Sequence, residues 1–245
     1  MKRFSLFLFA LFALLMGVPP QAALAKAGDV VTNLSNLSNS KVYNIKSVRG
    51  YLLYSANYTG KLAGSAGSGV KDAGTASATT AAQQFAIYTV GGKHFLYSVG
   101  AKKFVSSNGN YESTPNTELS ITATGKADYP WLFKLGSNTI NMQAKGGDAA
   151  GCLVDSWATA DDGNRLTIVE ATLDEATDIE SPMVPLLQNV YAGYVAQLKA
   201  ANGMKYFYHD ASDAINSLPA TAPATKAELE TAIANLQTTI DGLNS

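Results

Sequence analysis

The chain of 245 residues has a single cysteine, Cys152, which excludes an intrachain disulfide and a Cys-rich zinc site. Its two histidines, His94 and His209, leave little for imidazole-based metal binding or acid–base work. Charged residues make up 15% and the net charge is −1, so there is no basic excess to attract nucleic acid. The sequence holds no G-x-S-x-G elbow, no H-E-x-x-H and no P-loop. Its one long apolar run, Phe4 to Met16, is 13 residues, too short to span a bilayer comfortably. What is there is a globular composition, 47% hydrophobic. The lone Cys152 reads either as a small buried hydrophobe or as a nucleophile. The nucleophile lacks an evident histidine partner, which favours the first reading.

The short apolar run has the layout of an export signal. Lys2 and Arg3 precede it, Pro19-Pro20 ends it, and Ala23-Leu24-Ala25 has the A-x-A form of a cleavage site. This predicts removal of residues 1–25 after Ala25. The product is expected to be secreted, periplasmic or cell-surface associated, with no membrane span left. Residues 26–40 read as an N-terminal linker.

Charge then divides the remainder. Residues 26–172 carry 13 Lys/Arg and 10 Asp/Glu, whereas residues 173–245 carry 3 and 9. The first part is rich in Gly, Ser, Thr and aromatics. The second is rich in Ala and Leu at helical spacing. These shifts predict a mainly β domain over 41–172 and a helical domain over 173–245.

The β part repeats itself. Tyr43 to Ser55, Phe85 to Ser98 and Trp131 to Gln143 each start on an aromatic residue and alternate apolar and polar positions, the period of a half-buried strand. Turns at Arg49-Gly50, Gly91-Gly92 and Gly136-Ser137-Asn138 suit hairpins. A third apolar patch follows each: Lys61-Leu62-Ala63, Lys103-Phe104-Val105 and Gly151-Cys152-Leu153-Val154. A last strand, Leu166 to Ala171, has no hairpin after it, and pairing it with the first hairpin would close a pseudo-threefold barrel. Three similar hairpins in a β-sandwich are the alternative.

These residues resemble the ricin-B-type β-trefoil lectins, over about residues 40–172. Gln83-Gln84-Phe85 resembles that family's Q-x-W signature with Phe for Trp. Tyr129-Pro130-Trp131 keeps the Trp, Asn164-Arg165-Leu166 keeps an amide, and Gly151-Cys152-Leu153 resembles its G-x-C-L stretch. The resemblance implies a β-trefoil, of the kind also found in exported bacterial proteins, with one shallow sugar site per repeat. Each site would be built from an Asp, an aromatic and an Asn or Gln. A sugar needs an aromatic face for its C–H side and carboxylates or amides for its hydroxyls.

The third repeat is richest in these groups, and Asp148, Asp155, Trp157, Asp162 and Asn164 are the candidate carbohydrate-binding residues. Trp157 sits in a polar stretch and reads as a stacking platform or as a plug at the barrel mouth. Asn108, Asn110 and Tyr111 form a secondary candidate in the second repeat, where a plain Asn-Gly turn is the competing reading. Asp161-Asp162-Gly163-Asn164 lacks the spacing of a calcium loop and reads as a turn that caps its own backbone. Adjacent Asp161 and Asp162 make a poor acid/base pair for a glycosidase. His94 falls at a polar phase and is expected to be solvated. No cofactor, metal or catalytic set is expected.

In the second part, Ser181-Pro182 marks a helix start and Asn202-Gly203 its end. Val184, Leu187, Tyr191, Tyr194 and Leu198 recur at spacings of three and four. Phe207, Ala211, Ile215 and Leu218 suggest a shorter second helix. Thr225 and Glu228 form a capping box before Leu229, Ile233, Leu236, Ile240 and Leu243. The pattern looks like the three-helix FIVAR-type modules, which implies a spacer or docking role. The alternative is a tail that packs on the barrel, helped by Tyr206-Phe207-Tyr208. The sequence as a whole points to exported, non-catalytic binding of a glycan, as host or dietary polysaccharide or glycoprotein, with carbohydrate-active enzymes as candidate partners. A protein-interaction, scaffold or inhibitor module without glycan affinity is the alternative.

Overall fold

The computed structural model describes residues 28–48, 51–53, 70–71, 81–144, 150–155, 161–173, 177–202 and 211–243. Among these are twelve strands: β1 (Val42–Ser47), β2 (Tyr51–Leu52), β3 (Val70–Lys71), β4 (Phe85–Val90), β5 (Lys93–Ser98), β6 (Lys103–Val105), β7 (Tyr111–Glu112), β8 (Leu119–Ala123), β9 (Trp131–Leu135), β10 (Asn138–Ala144), β11 (Ala150–Asp155) and β12 (Leu166–Ala171). Three helices follow: α1 (Met183–Asn202), α2 (Ser212–Asn216) and α3 (Lys226–Leu243).

Six strands close a ring. β1 with β12, β4 with β5, and β8 with β9 form three antiparallel ladders. The bridges Tyr43 to Phe85, His94 to Leu119 and Trp131 to Leu166 join one ladder to the next. The remaining strands form three antiparallel pairs, β2–β3, β6–β7 and β10–β11, each continuing from a barrel strand. A six-stranded barrel with three attached strand pairs at threefold positions is a β-trefoil. Closure leaves no unpaired barrel edge. The two-layer sandwich is excluded, because β12 returns to β1 in full register from Val42–Ala171 to Ser47–Leu166.

The repeat phase differs from the sequence reading. By the joining bridges, Phe85, Leu119 and Leu166 occupy one threefold position, and Tyr43, His94 and Trp131 the other. Segment 85–98 is therefore a barrel ladder between two repeats, whereas 43–52 and 131–144 run from a barrel strand into an outlying pair. All three read alike in sequence because alternation and a glycine turn look the same in both settings. The Q-x-W-like position in the last two repeats thus falls at Leu119 and Leu166, and Trp131 is not its equivalent. Strand β8 lies outside the three repeated segments, although Leu119-Ser-Ile121-Thr alternates cleanly.

The barrel core takes the inward residues. Tyr43, Ile45, Phe85, Ile87, Leu119, Phe133, Leu135, Leu166 and Ile168 are each 1% exposed or less. Trp131 and Phe85 are core residues, and the Trp131 indole donates to the Val31 carbonyl at 2.7 Å. That contact corrects the linker. Val30 and Val169 bridge, the Val31 amide donates to the Ile168 carbonyl at 2.8 Å, and Val31 is buried. Residues 28–31 hydrogen-bond along β12 at Ile168–Glu170, beyond its junction with β9 at Leu166. The Gly91-Gly92 turn has φ values of +60° and +75°, the two left-handed positions that a tight hairpin matched to strand twist requires. Arg49-Gly50 and Lys61-Leu62-Ala63 lie outside the described residues. Cys152 lies on β11 opposite Met142.

The helices do not stand apart. Ala86, Tyr88, Val90, Tyr97 and Phe104, on the outer face of β4–β6, share one buried cluster with Met183, Leu187, Tyr191, Leu198, Leu229, Leu236 and Ile240. Tyr88, Tyr97 and Phe104 form a ring triad with centroids 5.2–6.1 Å apart. The Tyr88 hydroxyl donates to the Ile179 carbonyl at 2.6 Å. The tail thus packs on the side of the barrel, and a free-standing FIVAR-like module is not supported. The Asp178 carboxylate accepts from the Glu180 and Ser181 amides at 3.0 Å, so it organises the chain just before α1, and the helix itself starts at Met183. Hydrogen bonds from Ser181 hold the Asp178 carboxyl below its ordinary pKa. The capping box is present: the Glu228 amide donates to Thr225 Oγ1 and the Thr225 amide to Glu228 Oε2. Tyr206-Phe207-Tyr208 lie outside the described residues.

Candidate functional site

The third-repeat candidates separate into three groups. Asp148 and Trp157 lie outside the described residues. Asp155 is on β11, paired across from Thr139. Asp162 and Asn164 sit in a 3-10 turn, Asp162–Asn164, that leads into β12.

That turn is built by its own polar groups. Asp161 Oδ1 accepts from the Gly163 amide at 2.7 Å and from Asn141 Nδ2 at 3.0 Å. Asn141 comes from β10 and is fully buried. A Cβ at Gly163 would overlap the Asn141 amide, so only glycine lets the turn close onto β10. This agrees with a turn that caps its own backbone. Asp161 caps the turn and Asp162 opens it. Asp161 faces inward to the cap, while Asp162, with its side chain 55% exposed, pairs with Arg165 at 2.8 Å.

Asn164 corrects one expectation. It is fully buried and presents no open face to a saccharide. It is equivalent in position to Gln83, two residues before the barrel strand. Sequence alone does not distinguish a buried amide there from one that contacts a ligand.

The second-repeat candidate behaves as a hairpin tip. Asn108 Oδ1 accepts from the Asn110 amide at 3.1 Å and from Ser106 Oγ at 2.6 Å, and Gly109 has φ +76°. Asn108 is thereby committed to its own turn. Tyr111 packs against the barrel core and its hydroxyl is buried. The three residues do not combine into an open sugar site. The competing Asn-Gly turn is the observed one, and Asn138 Nδ2 ties it to the third repeat through the Ser107 carbonyl at 2.8 Å.

His94 is half-buried rather than solvated, with Nδ1 2.9 Å from Thr89 Oγ1. Burial pushes its pKa below the ordinary value, and the nearby Glu118 carboxylate opposes that shift. Among the described residues no group of three His, Cys, Asp or Glu side chains converges as a metal site. Among them, too, no helix is long and apolar enough to cross a membrane.

No protein-family model matches the chain. No curated protein matches it either. Distant likenesses are found among solved structures. One is a Macrolepiota procera ricin B-like lectin in complex with lactose, at 14% identity and TM-score 0.41, covering 56% of this chain and 99% of that one. Another is the Rhizoctonia solani agglutinin, at 16% identity and TM-score 0.40, covering 53% and 94%. A third is a GlcNAcα1-4Gal-releasing endo-β-galactosidase from Clostridium perfringens, at 10% identity and TM-score 0.41, covering 54% of this chain and 33% of that enzyme. The ring of strand pairs itself defines the architecture.

Proposed function

We propose that the chain is an exported, non-catalytic carbohydrate-binding protein that contacts saccharide through its third repeat. The observation that carries this reading is the clamp of Asn141, Asp161 and Gly163. It fixes the turn that follows the Trp157 stretch and holds the exposed Asp162 carboxylate beside the Arg165 guanidinium. A rigid polar pair is the chemistry that sugar hydroxyls require, rigidity lowers the ordering cost of binding, and Trp157, five residues before Asp162 in the sequence, is the aromatic candidate for the C–H face. Export is supported by the leader-like residues 1–25, and lack of catalysis by the missing catalytic motifs.

The test is a glycan array with the full mature chain, lactose among the sugars, repeated with Trp157→Ala and Asp162→Ala after circular dichroism has verified folding. Specific glycan binding that weakens about tenfold in both variants is expected. A chain that binds no glycan but retains a protein partner in a pull-down would transfer the assignment to the protein-interaction class.

A further inference from the structure

A groove of about 620 Å³ runs along the seam between α1 and the second repeat, within the roughly 300–1,000 Å³ typical of small-ligand sites. It is separate from the third-repeat turn. We propose that this seam groove is a second saccharide site, shaped for a short neutral oligosaccharide, that exists only because the helices are docked on the barrel.

The lining makes the case. One helix face supplies Asn189, Gly193, Tyr194 and Gln197, spaced so that all four lie along the same stripe. The opposite wall is β5 and the segment before β8, with Phe95 and Asn116. Two partly exposed rings thus face a space bordered by three carboxamides. Each amide carries both a donor and an acceptor, as vicinal hydroxyls do, and the part of each ring left uncovered by the cluster is apolar surface for a sugar's C–H side. The charges in the wall cancel, since Lys93 Nζ and Glu118 Oε2 pair at 3.2 Å. A neutral ligand therefore fits better than an anionic one.

Gly193 is an independent sign. It lies in the middle of a 20-residue helix, where glycine is unfavourable relative to alanine. A Cβ there would meet no neighbouring atom within 4 Å, so nothing in the protein's own packing demands glycine. Bare backbone on the groove wall lets a ligand approach closely.

The experiment uses the full mature chain on an array of neutral and acidic oligosaccharides, with titration calorimetry on the best hit. Gly193→Ala is the decisive variant, because it leaves the fold intact and is expected to raise Tm. The expected result is a class of neutral glycans whose affinity falls about tenfold in Gly193→Ala and in Gln197→Ala but is unchanged in Trp157→Ala. Glycan affinities unaltered by both groove variants would overturn the groove, and so would binding lost entirely in Trp157→Ala. Binding lost in the groove variants alone would remove the third-repeat reading and leave the groove standing. A chain that binds no oligosaccharide on the array would overturn both.

Discussion

Two threefold-equivalent strands of the barrel, β4 and β8, have the same inner faces and opposite outer ones. Inside, Phe85 and Ile87 correspond to Leu119 and Ile121, all buried. Outside, Ala86 and Tyr88 correspond to Ser120 and Thr122. The first two are fully buried under the helices, and the second two are exposed. The barrel needs only the inner alternation. The outer side chains of β4 record the helices they meet, whereas β8 is polar outside, and Leu132, across from Thr122 on β9, is buried without joining the cluster that the helices form. The helical tail is thus attached to one-third of a threefold body and breaks its symmetry there.

Removing the side chain that anchors this attachment produces the largest effect. Tyr88→Ala deletes a fully buried ring from the aromatic triad and its bond to the Ile179 carbonyl, and is expected to cost about 3–5 kcal/mol in urea unfolding. Thr122→Ala, at the equivalent but exposed position of β8, is expected to stay within about 0.5 kcal/mol. Equal losses at both positions would refute the asymmetry.

Two glycines sharpen the contrast between the tightly built third repeat and the open seam. Gly163→Ala forces a methyl group into the Asn141 amide, with an expected loss of about 1–3 kcal/mol. Gly193→Ala meets nothing and is expected to gain about 1 kcal/mol. Thermal unfolding of both variants reads the difference in sign. A destabilised Gly193→Ala would show that α1 uses glycine for its own packing.

Much of this was legible in the sequence, and the parts that were not share a cause. The inward alternation of Phe85-x-Ile87 and Leu166-x-Ile168, the closure of the last strand on the first, and the Thr225–Glu228 box could all be read, because each is a local pattern with one structural meaning. Repeat phase could not, because a barrel ladder and an outlying hairpin alternate identically. The role of Asn164 could not, because a buried amide and an exposed amide gripping a sugar are the same letter. Tyr88 and Tyr97 did carry a readable signal. Apolar residues at both phases of a strand mean that both faces are buried, and the amphipathic helices were there to cover the outer one.

The helical side of the comparison can be weakened from its far end. Thr225→Ala removes the hydroxyl that accepts from the Glu228 amide at the start of α3, and is expected to cost about 1 kcal/mol. Because α3 shares its buried cluster with Tyr88 and Tyr97, the loss is expected in one transition seen equally by far-ultraviolet circular dichroism and by tyrosine fluorescence. Two separated transitions would mean that the helices unfold on their own.

The smallest expected effect lies where the two regions meet, at His94. It shares its threefold position with Tyr43 and Trp131, yet it is half-buried beside Thr89, with Glu118 nearby. Burial lowers its pKa below the ordinary 6.5, so the unfolded chain binds this proton more readily than the folded one. The associated stability is complete above the ordinary value and is lost as pH falls from there through the depressed folded value. His94→Gln keeps a polar partner for Thr89 without titrating. Between about pH 7.5 and about pH 5, its urea midpoint is expected to fall less than that of the parent chain. An equal fall in the two proteins would mean that the Glu118 carboxylate offsets the burial, and that the imidazole charges in the folded state at no cost.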